Sequence, residues 1–82
     1  MMDNVSILNN VFKDCFSIDD EEVKTIKLNE HPRWDSVGHM EFIAELEEYF
    51  HLQISTDDFV EIVSYDTCVE VLTRYGVKFV QY

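Results

Sequence analysis

The stretch Trp34-Asp35-Ser36-Val37-Gly38-His39-Met40-Glu41-Phe42-Ile43-Ala44-Glu45-Leu46-Glu47-Glu48-Tyr49-Phe50 decides how this chain reads. Asp35 and Ser36 each carry a side-chain oxygen that can accept hydrogen bonds from first-turn amides, so a helix is expected to open here and run to Phe50 or His51. Set out at ~100° per residue, Met40, Phe42, Ile43, Ala44, Leu46, Tyr49 and Phe50 spread over about 220°. A single core contact needs less than that. Glu41, Glu45 and Glu48 fill the remaining sector, while Glu47 falls inside the apolar arc near the angular position of Ser36. Part of the arc, with Val37 and Met40 at the helix start, is therefore expected at the surface among carboxylates. Such a strip suits basic, partly apolar partners. The plainer alternative is a solvated acidic helix.

Working toward the N-terminus, residues 17–35 lose helical period and reach His31-Pro32, where the residue before proline is disfavoured in helix. Ser17-Ile18-Asp19-Asp20-Glu21-Glu22 could start a helix, but a long loop is expected, with a short helical turn inside it at most. Ile18, Val23, Ile26 and Leu28 would tether it to the core, and Trp34 would anchor its exit. Before it, Asp3 or Asn4 can cap a first helix to Phe16, on which Val5, Leu8, Val11, Phe12, Cys15 and Phe16 share one face. Toward the C-terminus, Ser55 or Thr56 can cap a short helix over 57–62. A last helix over 66–75 turns Cys68, Val69, Leu72 and Tyr75 inward and stops at Gly76. The tail 77–82 alternates apolar and polar residues, as either a short extended segment on the body or a frayed end.

The chain has 82 residues, which fits a single domain over 1–82 with its core in about 4–76. Two glycines and one proline are few for a β-protein with many turns, and the helical pattern makes the fold class all-α. A domain this small has little core to give up to an enclosed catalytic cavity. Seventeen acidic against six basic residues give a net charge of -11. That charge repels nucleic-acid backbones and anionic membranes and steers basic protein surfaces inward. With 46% hydrophobic residues the chain is too apolar for acidity to mean disorder. Cys15 and Cys68 lack metal or redox spacing and read as reduced core cysteines. No membrane span and no signal peptide is apparent, so a cytoplasmic monomer is expected.

The run from Trp34 to Ile43, followed by Leu46-Glu47-Glu48-Tyr49-Phe50, resembles the core signature of acyl carrier proteins. In that family Asp-Ser-Leu opens the second helix and an acidic run with a closing Phe ends it; here Val37 replaces the Leu. The rest of the chain is similar in order: a first amphipathic helix, a long loop, a short third helix opened by Asp57-Asp58, and a closing fourth helix. The resemblance covers about residues 4–76. Gly38-His39 before Met40 looks more like carriers of specialised pathways than the housekeeping fatty-acid carrier. The resemblance implies a small four-helix bundle of the acyl-carrier type and no catalytic residues of its own. It also implies that a phosphopantetheinyl transferase joins 4′-phosphopantetheine from coenzyme A to Ser36, whose arm then carries acyl thioesters between loading and using enzymes. Asp35, Val37, Met40, Glu41, Glu47 and Glu48 would form the face those partners recognise. An aminoacyl or peptidyl carrier, or an unmodified helical interaction module, are the alternatives.

Two other chemistries fit parts of the same stretch. Ser36 and His39 are helical neighbours at i and i+3, with Asp35 beside them, but no Gly-x-Ser-x-Gly elbow surrounds the serine. His39 is expected instead to meet solvent or a partner. Glu48 and His51 have the Glu-x-x-His spacing of di-iron bundles but lack the second pair. No EF-hand pattern accompanies Asp57-Asp58, so no metal site is expected.

Overall fold

A computed structural model describes residues 3–79. Five helices follow one another: α1 (Asn4–Phe16), α2 (Asp20–Val23), α3 (Ser36–Phe50), α4 (Thr56–Glu61) and α5 (Tyr65–Arg74). The fold is all-α, and the described residues contain no strand beyond one isolated bridge between Lys27 and Ser64. None of these helices is long and apolar enough to cross a membrane.

Each helix starts where a side-chain acceptor is available for its orphan amides. Asp3, Asp19, Asp35, Ser55 and Ser64 accept from the backbone N–H three residues on in α1 to α5 respectively. The ends are equally local. Ser17 and His51 turn into the left-handed region after α1 and α3. Gly76 does so after α5, at φ 93°, and its N–H donates to the Thr73 carbonyl.

Inward faces meet in one aromatic cluster. Phe12 and Phe16 of α1, Phe42 of α3 and Trp34 at the end of the loop are all fully buried. Trp34 stacks on Phe16 at 4.8 Å between ring centroids, and Phe12 lies 4.7 Å from Phe42. Each such side chain contributes about 1.5–3 kcal/mol by leaving water. Tyr65 and Cys68 of α5 close the cluster from the other side, both among the buried residues.

The loop is held by the residues expected to tether it: Ile18, Val23 and Ile26 are buried, and Leu28 is half-buried. Leu28 N–H donates to the Val63 carbonyl at 3.0 Å, and Asn29 N–H donates to the Trp34 carbonyl at 2.8 Å. The latter contact folds the loop back on itself and delivers Trp34 to the core immediately before α3 begins. At the far end, Val77 and Phe79 are half-buried, and the Lys78 carbonyl accepts from Asn4 Nδ2 at 2.9 Å. Residues 77–79 therefore lie against the body; the expectation for 80–82 falls outside the described residues.

Both cysteines are free thiols. Burial pushes the Cys68 thiol far up, and burial together with the carboxylates of Glu45, Asp14 and Glu41 pushes half-buried Cys15 up to about 11. Neither is a reactive thiolate near neutral pH.

Candidate functional site

Ser36 is the first residue of α3 and is exposed. The preceding Asp35 has extended backbone, and its Oδ1 accepts the Gly38 N–H at 2.8 Å. Helix geometry leaves the amides of Ser36 and Val37 pointing out of the helix end, where the dipole is positive. This end tolerates an anionic group.

Beside Ser36 lies an open cleft of about 280 Å³. Leu28 and Asn29 of the loop form one wall, Ser36, His39 and Met40 of α3 the floor, and Phe59 and Val60 of α4 the opposite wall. The lining is mostly apolar. A larger groove of about 520 Å³ lies along α1 and α3, but Asp14, Glu41 and Glu45 line it and Ser36 does not.

The six residues expected to flank Ser36 as a recognition face divide into two kinds. Val37 and Met40 are 66% and 63% exposed, and Glu41 and Glu48 are exposed on the same helix. These four stand free on the surface. The carboxylates of Asp35 and Glu47 are engaged within the molecule. Glu47 is half-buried, and its Oε2 accepts the Ile54 N–H at 2.8 Å, fastening the turn between α3 and α4. Its place inside the apolar arc of the helix has this structural reason.

His39 departs from expectation. It is not a solvated or partner-contacting residue but is buried at 4% exposure. The Trp34 indole N–H donates to His39 Nδ1 at 3.0 Å, and His39 Nε2 lies 2.8 Å from the Phe59 carbonyl oxygen. A fully buried indole N–H needs an acceptor, and this imidazole supplies it. With both ring nitrogens engaged, His39 offers no base to Ser36. The serine therefore presents an accessible, unactivated hydroxyl.

Gly38 has a packing role as well. A Cβ at this position would collide with the Arg33 carbonyl and crowd Asp35 Oδ1. The glycine lets the loop run hard against the first turn of α3. Both residues had a signal in the sequence. At ~100° per residue His39 falls between Leu46 and Phe50, on the buried side of the helix, and a glycine inside a helix usually marks a close approach.

At the start of α4, Tyr75 Oη donates to Asp58 Oδ2 at 2.6 Å and accepts the Ser55 N–H at 2.9 Å. Arg74 pairs with Asp58 at 3.3 Å and also with Glu61. The Tyr75 and Ser55 hydroxyls hold the Asp58 carboxyl below the ordinary carboxylate range, with Arg74 adding to the effect. These contacts tie the α4 wall of the cleft to α5.

Compared with protein-family models, with curated proteins and with solved structures, the chain gives no match.

Proposed function

We propose that this chain is an acyl carrier protein, in which Ser36 receives a 4′-phosphopantetheine arm from a separate transferase. The observation that carries the reading is the position of Ser36: exposed, first in a 15-residue helix, and on the lip of an apolar cleft. A phosphodiester on this hydroxyl would sit at the outward-pointing amides and positive end of α3. Leu28, Met40, Phe59 and Val60 would give the arm an apolar surface to rest on. The residues present therefore fit the group. When bound, it supplies a terminal thiol that carries acyl chains as thioesters.

The protein's own residues present the arm and do not react. Asp35 caps the helix start and so sets where the Ser36 side chain leaves the backbone. Val37 and Met40, with Glu41 and Glu48 on the same helix, form an apolar strip edged by charge, with Asp35 and Glu47 at its margins. Basic surfaces on the transferase and on acyl-loading and acyl-using enzymes would be steered to it. The three longer helices α1, α3 and α5, the short α4 and the long loop bearing α2 support the four-helix arrangement of this carrier type. The chain is read as a cytoplasmic monomer of a specialised pathway.

Incubation with coenzyme A, Mg²⁺ and a broad-specificity phosphopantetheinyl transferase tests the reading by intact mass. The expected result is a gain of one phosphopantetheinyl group by the wild type and none by Ser36→Ala. No gain on the wild type overturns the carrier function and favours an unmodified interaction module. An equal gain on Ser36→Ala moves the attachment point. Subsequent loading with acyl against aminoacyl donors separates the fatty-acyl from the aminoacyl or peptidyl carrier.

A further inference from the structure

The groove between α1 and α3 takes no part in the chemistry at Ser36. Asp14 and Cys15 of α1 face Glu41, Ala44 and Glu45 of α3 across a cleft of about 520 Å³. Asp14 and Tyr49 continue into a second cleft of about 220 Å³, where Ile7 and Val11 add apolar wall. Each helix contributes about two turns, so the groove runs on the order of 12 Å. Its floor is apolar and partly open: Ala44 and Tyr49 are exposed, Ile7 and Cys15 half-buried, and Val11 buried beneath them. Tyr49 is 52% exposed, a large ring left on the surface. Three carboxylates stand over this floor. Asp14 and Glu41 are exposed and Glu45 is half-buried, and none of the three has an ion pair among the described residues. No basic side chain lines either cleft, and Lys13, next to Asp14 in sequence, pairs with Asp20 instead. The three charges converge. After burial itself, the carboxylates of Glu45, Asp14 and Glu41 are what push the Cys15 thiol up to about 11.

We propose that the α1–α3 groove docks a basic amphipathic helix of a partner protein, with apolar residues at i, i+3 or i+4 and i+7 flanked by Lys or Arg. The apolar stripe of such a helix covers Ile7, Val11, Ala44 and the Tyr49 ring. Its cations meet Asp14, Glu41 and Glu45, which the protein itself leaves unpaired. A helix suits the site because the furrow between two packed helices accepts the side-chain ridge of a third. An extended segment would need a strand edge, and among the described residues the one bridge joins Lys27 and Ser64, away from the groove. A second copy of this chain is disfavoured. With a net charge of -11, it would bring carboxylates against carboxylates, and anionic membranes or nucleic acids meet the same repulsion. At ~100° per residue Glu45 stands about 180° round α3 from Ser36. A helix seated in the groove therefore holds the protein from behind and leaves Ser36 and its cleft open. Docking needs no group on Ser36 and does not depend on the carrier reading.

The test uses a synthetic Leu/Lys peptide of about 15 residues in that spacing, long enough to form a helix. It is titrated into the ¹⁵N-labelled full chain at about 0.15 M salt, where exposed charges further apart than about 8 Å are screened. We expect saturable amide shifts centred on Ile7, Val11, Asp14, Ala44, Glu45 and Tyr49. A peptide of the same composition with its Leu and Lys scrambled should bind at least about tenfold more weakly, because it presents no apolar stripe. Asp14→Asn combined with Glu45→Gln should weaken the patterned peptide about tenfold. Glu41 is left unchanged because it also borders the face beside Ser36. Bound peptide should also slow alkylation of half-buried Cys15, read by intact mass, since Cys68 is fully buried. The absence of saturable shifts overturns the proposal. So do shifts centred on Val37, Met40 and Val60, equal binding by the scrambled peptide, unchanged affinity in the double variant, or unslowed alkylation of Cys15 at saturation. Sedimentation that shows a dimer closing the groove overturns it as well. The docking and carrier readings fail separately. Mass gain at Ser36 without peptide binding removes the docking site alone, and peptide binding by a chain that cannot be loaded removes the carrier function alone.

Discussion

The backbone carbonyl of Arg33 occupies the space in which a Cβ at Gly38 would stand. This contact sets how closely the loop meets α3, and with it the placement of Asp35 and Ser36. Alanine at position 38 would gain about 1 kcal/mol in helix propensity. The collision is with backbone, which cannot rotate away, and such overpacking costs about 1–3 kcal/mol. Gly38→Ala is therefore expected to lower stability on balance and to shift the Asp35 and Ser36 amide signals. Urea denaturation and amide chemical shifts check it; a more stable variant with unchanged shifts would contradict the close approach.

Glutamates of α3 that look alike in sequence should respond differently to substitution. Glu47→Ala removes the acceptor of the Ile54 N–H and should cost about 1 kcal/mol of stability. Glu41→Lys and Glu48→Lys should leave stability within about 0.5 kcal/mol. If the exposed strip steers the transferase, those two reversals slow loading of Ser36, more at low salt than at high salt. Denaturation midpoints and loading rates at two ionic strengths test both halves. Loading that is insensitive to salt would remove the steering role.

Acid stability should carry the signature of Asp58. Its carboxyl is held below the ordinary 3.8, first by the Tyr75 hydroxyl and then by Ser55 and Arg74. In the pH window between the lowered value and 3.8, the unfolded chain binds more protons than the folded one. The group's contribution is thus complete above that window and lost as pH falls through it. Tyr75→Phe removes the leading cause. It should lower the melting temperature near neutral pH and narrow the gap from wild type below about pH 4. Melting curves across that range measure it, and a gap that widens on acidification would reverse the sign.

Much of the fold was legible because its signals are local. Asp3, Asp35 and Ser55 cap helices through contacts three residues ahead, and Gly76 ends α5 by a conformation that suits glycine. Spacing alone also put Val37 and Met40 on an apolar strip too wide to be buried whole. The loop was less legible. Asp19 does cap the short α2, but the turn that returns Asn29 to Trp34 depends on backbone pairing that leaves no periodic trace.

By itself, the sequence determined that helices open near Asp3, Asp35 and Ser55 and that the last one stops at Gly76, and that Ser36 stands at the start of α3 beside an acidic and apolar face. Only the tertiary structure decided which partners His39 takes inside the core, that Glu47 fastens a turn, and that the Arg33 carbonyl is what Gly38 admits. The physical reason is range. A cap is satisfied within one turn of its own helix, whereas His39 finds its acceptor 20 residues away on α4. Ser36 is reached from outside the molecule, so its exposure could be read from its own helix. The wall beside it is held by a bond that exists only once α3, α4 and Trp34 have come together.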